Sequence, residues 1–240
     1  MSESLFYDKV VPLNDTKHKN LRLSPLTDYG FARAVNSVPI VLAELGEIAK
    51  EYPIGFARTP DGGYLPVVLL GLREKENLFV GKDGRWVARY IPAFVRRYPF
   101  VPTTGANGQL LVCIDADAGC LGSKDGQPLF ADGRPAPVLE NAMAYLREFH
   151  ASGLATAETC RRLAEKDLFR EVGTLAQLSG GERYQLAGLQ VIDEDKLRTL
   201  DAAAVHELFR HGDLMLVYAH LLSLGNMQRL VDRLSKRIAG

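Results

Sequence analysis

Cysteine, net charge and long apolar runs are all scarce in this chain of 240 residues. The three cysteines, Cys113, Cys120 and Cys160, are odd in number and widely spaced. They fit neither a disulfide framework nor a zinc site, and they predict reduced thiols. Lys and Arg number 29 and so do Asp and Glu, giving a formal net charge of zero. A dedicated nucleic-acid binder carries a basic excess, so no nucleic-acid partner is expected. Docking on an anionic membrane by charge alone is disfavoured for the same reason. The longest apolar run, around Val67–Leu72, is far too short to span a bilayer. The opening stretch MSESLFYDKVVPLNDTKHK has no apolar h-region and no small-residue cleavage site. It predicts a cytoplasmic protein, with surface export by a leaderless route as the other possibility.

What is present suits a globular protein, with 47% apolar and 24% charged residues. Val10–Leu13 and Leu21–Leu23 read as short edge strands limited by Pro12 and Pro25. Val38–Lys50 has a helical period, with Pro39 at an early position. Two apolar runs, Ile54–Arg58 and Tyr64–Leu72, flank Pro60-Asp61-Gly62-Gly63 and read as a β-hairpin. Leu78–Val80 and Arg85–Val87 around Gly81–Gly84 read as a second. Ile91–Arg97 reads as a short helix with Pro92 in its first turn, Leu110–Ile114 as a buried strand, and Asp125-Gly126 as a turn.

The second half is richer in helical periods. Pro137–His150 places Val138, Leu139, Ala142, Tyr145, Leu146 and Phe149 on one face. Ala155–Lys166 reads as a separate helix with Thr156 near its start as a cap. Val172–Leu178 and Tyr184–Ile192 flank a Ser179-Gly180-Gly181 turn. Asp193–Leu200, Ala202–Arg210 and Leu214–Arg237 read as helices, the last containing Gly225. The expected fold class is α+β, with antiparallel hairpins in both halves and a helical cluster toward the C-terminus. One unit over residues 1–240 is expected. A subdivision near 135, strand-rich before and helix-rich after, is the only candidate boundary.

Short motifs carry little chemistry. Leu178–Arg183 looks like the signature loop of ABC transporter ATPases, but the phosphate loop such an ATPase needs is missing, and a turn explains the glycines. Asp115-Ala116-Asp117 begins like a calcium loop, yet Cys120 and Gly126 stand where glycine and glutamate are required. His206 and His211 are five apart and splay on a helix, and no HExxH pair occurs. No metal site and no cofactor are expected. His220 and Ser223 lie three apart, within reach of each other on a helix. With Asp193 they are the candidate set for an alternative reading, an enzyme or enzyme subunit acting on a small molecule or peptide. The leucine-rich face of Leu214–Arg237 is core or, alternatively, a homo-oligomer seam. Its basic end suits a helix C-terminus.

The strongest local signal is residues 85–100. They hold the only tryptophan, four arginines and four other aromatics. Aromatics and arginines are the residues that anchor partners and anions. The candidate binding set is Trp86, Arg89, Tyr90, Arg96, Arg97 and Tyr98, with Arg89, Arg96 and Arg97 holding an anionic or peptide group, Trp86, Tyr90 and Tyr98 supplying contact area, and a protein or peptide as partner. The competing reading makes the aromatics core and pairs the arginines with Glu44, Glu47 or Glu51.

Across nearly the whole chain, several segments jointly resemble the SapC family of bacterial proteins. They are Phe6-Tyr7, Val11-Pro12-Leu13 and His18; Phe31-Ala32 and Val38-Pro39; Glu51–Ile54; Leu69–Leu72; Glu76–Val80; and Gly84-Arg85-Trp86 with Tyr90–Phe100. Near the end come Val191–Glu194, Lys196-Leu197 and Ala219–Leu224. The resemblance implies an association with bacterial surface-layer proteins or outer-membrane uptake systems. It brings no catalytic or binding motif. The combined reading is a non-enzymatic accessory or binding protein. Changing Arg96 and Arg97 to alanine is expected to weaken partner binding without unfolding the chain, as checked by paired binding and melting measurements.

Overall fold

The computed structural model describes residues 5–105, 107–172, 176–177, 183–184 and 188–239. In chain order the first-half strands are β1 (Val10–Pro12), β2 (Arg22–Leu23), β3 (Ser37–Pro39), β4 (Ile54–Arg58), β5 (Tyr64–Leu69), β6 (Phe100–Thr104), β7 (Leu110–Asp115), β8 (Leu121–Gly122), β9 (Gln127–Pro128), β10 (Phe130–Ala131) and β11 (Arg134–Pro135). They are followed by β12 (Phe169–Glu171), β13 (Ala176–Gln177), β14 (Arg183–Tyr184) and β15 (Leu189–Ile192). The helices are α1 (Leu45–Glu51), α2 (Ala93–Arg96), α3 (Pro137–Glu165), α4 (Glu194–Arg198), α5 (Ala202–His211), α6 (Leu214–Ser223) and α7 (Asn226–Ala239). Antiparallel sheets with helices gathered toward the C-terminus make the fold α+β, as the sequence pattern predicts.

The main sheet has the order β12–β15–β4–β5–β3. Its centre is the expected β4–β5 hairpin, paired from Ile54–Val68 to Arg58–Tyr64. Gly62, at φ +86°, makes the turn that most side chains resist. Consecutive residues of β4, β5 and β15 are buried. Successive strand side chains point to opposite faces, so both faces of this sheet are covered. Helix α3 packs along β5, while α6 packs on β4, β15 and α1. β15 pairs with β4, so both halves of the chain contribute to one sheet. Two smaller sheets, β1–β7–β6 and β8–β2–β9, meet the first half of α3 over Phe100, Ile114, Leu129, Leu139 and Leu146.

Several expected elements take a different form. Pro39 lies in strand β3, not in a helix. β3 is an edge strand, where a missing N–H does no harm. The helix starts later because the Glu44 carboxylate turns back to accept the Val41 N–H at 3.0 Å. The Gly81–Gly84 turn forms, but its arms make one isolated bridge, Val80–Trp86, and no strands. β2 is central, not an edge, since β8 and β9 pair on either side of it. The turn that brings them there needs Gly126, where a Cβ would stand 2.3 Å from the Leu23 carbonyl oxygen. β7 is buried only toward its C-terminal end, and Leu111 is exposed.

α3 is one helix of 29 residues where two are predicted. Thr156 sits in its middle, not at a start. Its hydroxyl donates to Ser152 O and accepts the Leu42 N–H, so it caps another segment. The predicted Leu214–Arg237 helix is broken into α6 and α7. At the break Asn226 donates to Ala49 O and Tyr52 O, closing the C-terminal end of α1. Along the second half of this region Leu230, Val231 and Leu234 are core, whereas Leu222 is exposed. The Ser179–Gly181 turn and most of the Leu178–Arg183 motif lie outside the described residues, although β13 and β14 on either side pair antiparallel. No helix among the described residues is long and apolar enough to cross a membrane.

One buried ion pair locks α3 to the α5–α6 junction. The Asp213 carboxylate accepts from Arg162 Nε at 2.7 Å, Arg162 Nη2 at 2.6 Å and Thr159 Oγ1 at 2.9 Å. Removing one partner of a buried pair leaves the other uncompensated. Asp213→Ala is expected to destabilise the fold by about 3 kcal/mol, read as a drop in the urea midpoint.

Candidate functional site

Residues 85–100 divide into three local environments. Trp86 is half-buried, and its indole N–H donates to Tyr52 Oη at 2.8 Å. Tyr52 in turn donates to Tyr90 O, and burial raises its phenol pKa. Trp86 therefore holds the irregular 77–92 segment against α1 rather than presenting an open face. Arg89 is exposed, and its backbone N–H, not its guanidinium, is held by the Glu51 carboxylate at 3.0 Å. Its side chain lines a separate cleft of about 560 Å³ with Lys50, Arg229 and Arg233. There Arg229 donates to Lys50 O and Arg233 to Val87 O, while Arg237 one turn on donates to Asn77 O and Val80 O. Arg233 and Arg237 thus bind carbonyls of the irregular segment and Arg229 one of α1, beyond their favourable position at a helix C-terminus.

The remaining candidates converge. Glu44, 5% exposed, accepts from Ala93 N at 2.7 Å, Val41 N at 3.0 Å and Tyr90 Oη at 3.1 Å. Burial pushes its carboxyl pKa up, against the pull of those donors. Tyr90 Oη accepts from Arg96 Nη2 at 2.9 Å. The exposed Arg96 guanidinium lies over the rings of Tyr90 and Tyr145, 5.1 and 5.5 Å from their centroids. Arg97 is 6% exposed, stacked 3.9 Å from the Phe94 centroid, with Nε donating to Tyr7 Oη at 3.0 Å. No carboxylate pairs with Arg96 or Arg97 among the described residues. The expected partners are otherwise engaged: Glu44 and Glu51 take backbone amides, and Glu47 pairs with Lys50. Tyr98 stacks on Phe31 with 3.9 Å between centroids, and its Oη is 3.4 Å from Asp115. Asp115 also accepts the backbone amides of Asp8 and Lys9, so the abortive calcium-loop carboxylate anchors the N-terminal arm.

Arg96, Arg97 and Tyr98 line one cavity of about 380 Å³ with Phe100, the Leu23–Leu26 strap, Gln127, and Val138, Asn141, Ala142, Tyr145 and Leu146 of α3. Three of the six predicted site residues therefore share a wall, and Tyr90 supports it from behind. Trp86 and Arg89 stand elsewhere. Sequence reasoning missed the strap and Asn141. Ala142 and Tyr145 had the helical spacing that reveals a common face, but nothing in that spacing says what the face meets. A second cavity of about 380 Å³ lies across the same strap and includes Cys120. Burial pushes the Cys120 thiol up to about 11, which keeps it protonated and weakly nucleophilic at neutral pH. Arg97 is more deeply built in than its sequence position suggests. Arg97→Ala would remove a guanidinium packed among Tyr7, Phe94 and Phe149, so its folding and binding effects would be mixed.

His220, Ser223 and Asp193 do not form a reactive group. His220 is fully buried; Nδ1–H donates to Ile54 O at 2.9 Å and Nε2 accepts the Ile192 N–H at 3.2 Å. Ser223 Oγ donates to His220 O and accepts the Ile54 N–H. Asp193 caps α4 through the Asp195 and Lys196 amides. The histidine bridges β4 and β15 from α6. Burial lowers its pKa from 6.5 to about 4, against the pull of the Ile54 carbonyl. Between those pH values the unfolded chain binds a proton that the folded chain resists. Stability therefore falls as pH drops from 6.5 toward 4, by about 3 kcal/mol over the window. Urea titrations from pH 7 to 4.5 are expected to show this slope in the wild type and lose it in His220→Gln.

No curated protein and no solved structure matches the chain. The family model described as SapC matches residues 13–230, which includes every residue of the Arg96–Arg97 cavity. The chain belongs to the SapC family.

Proposed function

We propose that this protein is a non-enzymatic accessory or binding protein that holds an anionic group of a protein or peptide partner between Arg96, Arg97 and Tyr145. The observation that carries this reading is a pair of adjacent guanidiniums on a cavity wall with no carboxylate on either among the described residues. Arg96 is exposed and reaches the cavity from its rim, whereas Arg97 is 6% exposed, and a buried charge without a counter-ion is costly, so an anionic ligand would complete it. Tyr98 and Phe100 supply apolar and aromatic contact beside the charges, as anchoring sites do. Trp86 and Arg89 act at a distance, holding the segment in place and lining the α7 cleft. The biological setting we favour is a bacterial surface-layer or outer-membrane uptake system, a reading supported only by the family resemblance.

The test is an affinity capture of tagged protein from host cytosol and envelope, run beside Arg96→Ala. Arg96 is exposed, so its loss is expected to leave the thermal midpoint unchanged. A partner recovered from the envelope with the wild type and reduced about tenfold with the variant is the expected result, the size expected of a charge-assisted contact. Equal recovery with both proteins would overturn the assignment of the site.

A further inference from the structure

The cavity wall also says what kind of anion it suits. Arg96 and Arg97 each have five N–H donors, in a planar fork that matches a carboxylate edge to edge. Among the described residues Arg96 commits Nη2 to Tyr90, and Arg97 commits Nε to Tyr7. The terminal nitrogens of Arg97 make no hydrogen bond there, and they are not sealed from solvent although the residue as a whole is 6% exposed. Two carboxylates temper the field at one tyrosine's remove: Glu44 behind Tyr90, and Asp115 behind Tyr98. That arrangement favours a singly charged group over a phosphate dianion.

Most of the rest of the lining is apolar. Leu23, Pro25 and Leu26 form one side, and Val138, Ala142 and Leu146 form the other. Ser24, Gln127 and Asn141, with the hydroxyls of Tyr98 and Tyr145, add uncharged polar groups. At about 380 Å³ the space is near the lower end of small-ligand sites, which run from about 300 to 1,000 Å³. It admits one short chain or one side chain, not a large ring system.

We infer that the cavity binds a carboxylate carrying a short apolar tail, with the carboxylate on Arg96 and Arg97 and the tail between the Leu23–Leu26 strap and α3. A free medium-chain acid and the C-terminal end of a peptide with a leucine-like last residue present the same chemistry. The inference rests on the reading of this cavity as the binding site, and it adds the ligand class.

Calorimetric titration of the full chain tests it with octanoate, octanol, inorganic phosphate, Gly-Gly-Leu as the free acid and Gly-Gly-Leu amide. Octanoate or the free-acid tripeptide is expected to bind saturably, and whichever binds identifies the source. Binding is expected to weaken about tenfold or more in Arg96→Gln, the effect of one lost charge-assisted hydrogen bond. It is also expected to be blocked in Ala142→Phe, which fills the tail space without touching either arginine. If Ala142→Phe lowers the thermal midpoint, Ala142→Leu supplies a milder block. Equal binding of octanol or the amide, tighter binding of phosphate, insensitivity to both variants, or no saturation by either acid would overturn the inference. Partner capture that depends on Arg96 while neither acid binds would overturn the ligand class and leave the binding role standing. Acid binding without any captured partner would do the reverse.

Discussion

A buried backbone N–H or C=O without a partner costs about as much as a lost hydrogen bond and the desolvation it was meant to offset. Much of this chain between β5 and β6 is irregular yet buried, so ladders and helices do not supply those partners. Backbone turn bonds supply part of them, and polar side chains supply others, there and at strand and helix ends elsewhere in the chain. Glu44 takes the Val41 and Ala93 amides, Thr156 takes the Leu42 amide, and Asn77 bonds Ala32 O and the Phe79 amide. Asn226 closes Ala49 and Tyr52, Asp115 takes Asp8 and Lys9, and His220 with Ser223 takes Ile54 and Ile192. Apart from the local bonds of Glu44 to Val41 and Asn77 to Phe79, each joins residues far apart in sequence. Together they fix how the helices sit on the sheet and where the irregular segment runs.

The cavity is a consequence of that arrangement. Glu44 holds Ala93 at the start of α2 and Tyr90 just before it, which sets the direction in which Arg96 leaves the short helix. The Phe94 and Phe149 rings lie 3.9 and 5.3 Å from the Arg97 guanidinium, and Tyr7 Oη accepts from its Nε. α3 passes from the smaller sheets to β5 without interruption, and its Val138–Leu146 face forms the opposite wall. Guanidiniums on aromatic faces are less hydrated than ammonium groups, which is why arginine is tolerated there. Two of the α7 arginines that look like a charged helix end, Arg233 and Arg237, bind carbonyls of the 77–92 segment, tying the last helix to the region that carries the site.

Much was legible before any coordinates. The β4–β5 hairpin followed from two apolar runs around Pro60–Gly63, because a short apolar run and a glycine turn are local properties. α4 and α5 were legible as the helices 193–200 and 202–210, and the structure adds Asp193 and Asp201 as their caps. The errors cluster where a distant contact overrides local preference. Thr156 has the chemistry of a cap and caps something, but the amide belongs to Leu42. Pro39 suits a helix start and equally an edge strand, and only the pairing of β3 with β5 decides between them. The long C-terminal apolar pattern continues through Gly225, yet Asn226 draws the chain toward α1 and breaks the helix. Of the candidate site, the arginine-aromatic segment stood out by composition. Its division into Trp86, Arg89 and the Arg96–Tyr98 wall did not, since composition carries no direction.

By itself the sequence determined the α+β class, most helices and turns, the SapC family and the segment that matters. The class, helices and turns depend on periodicity and residue type over a few neighbouring positions, and the family on a resemblance that runs along nearly the whole chain. The tertiary structure alone decided that Glu44 and Glu51 hold backbone amides instead of arginines, that His220 is a buried bridge, and that Arg96 and Arg97 face α3 across a cavity. These outcomes turn on which buried polar group finds which partner, and a hydrogen bond between residues tens of positions apart leaves no trace in the local pattern.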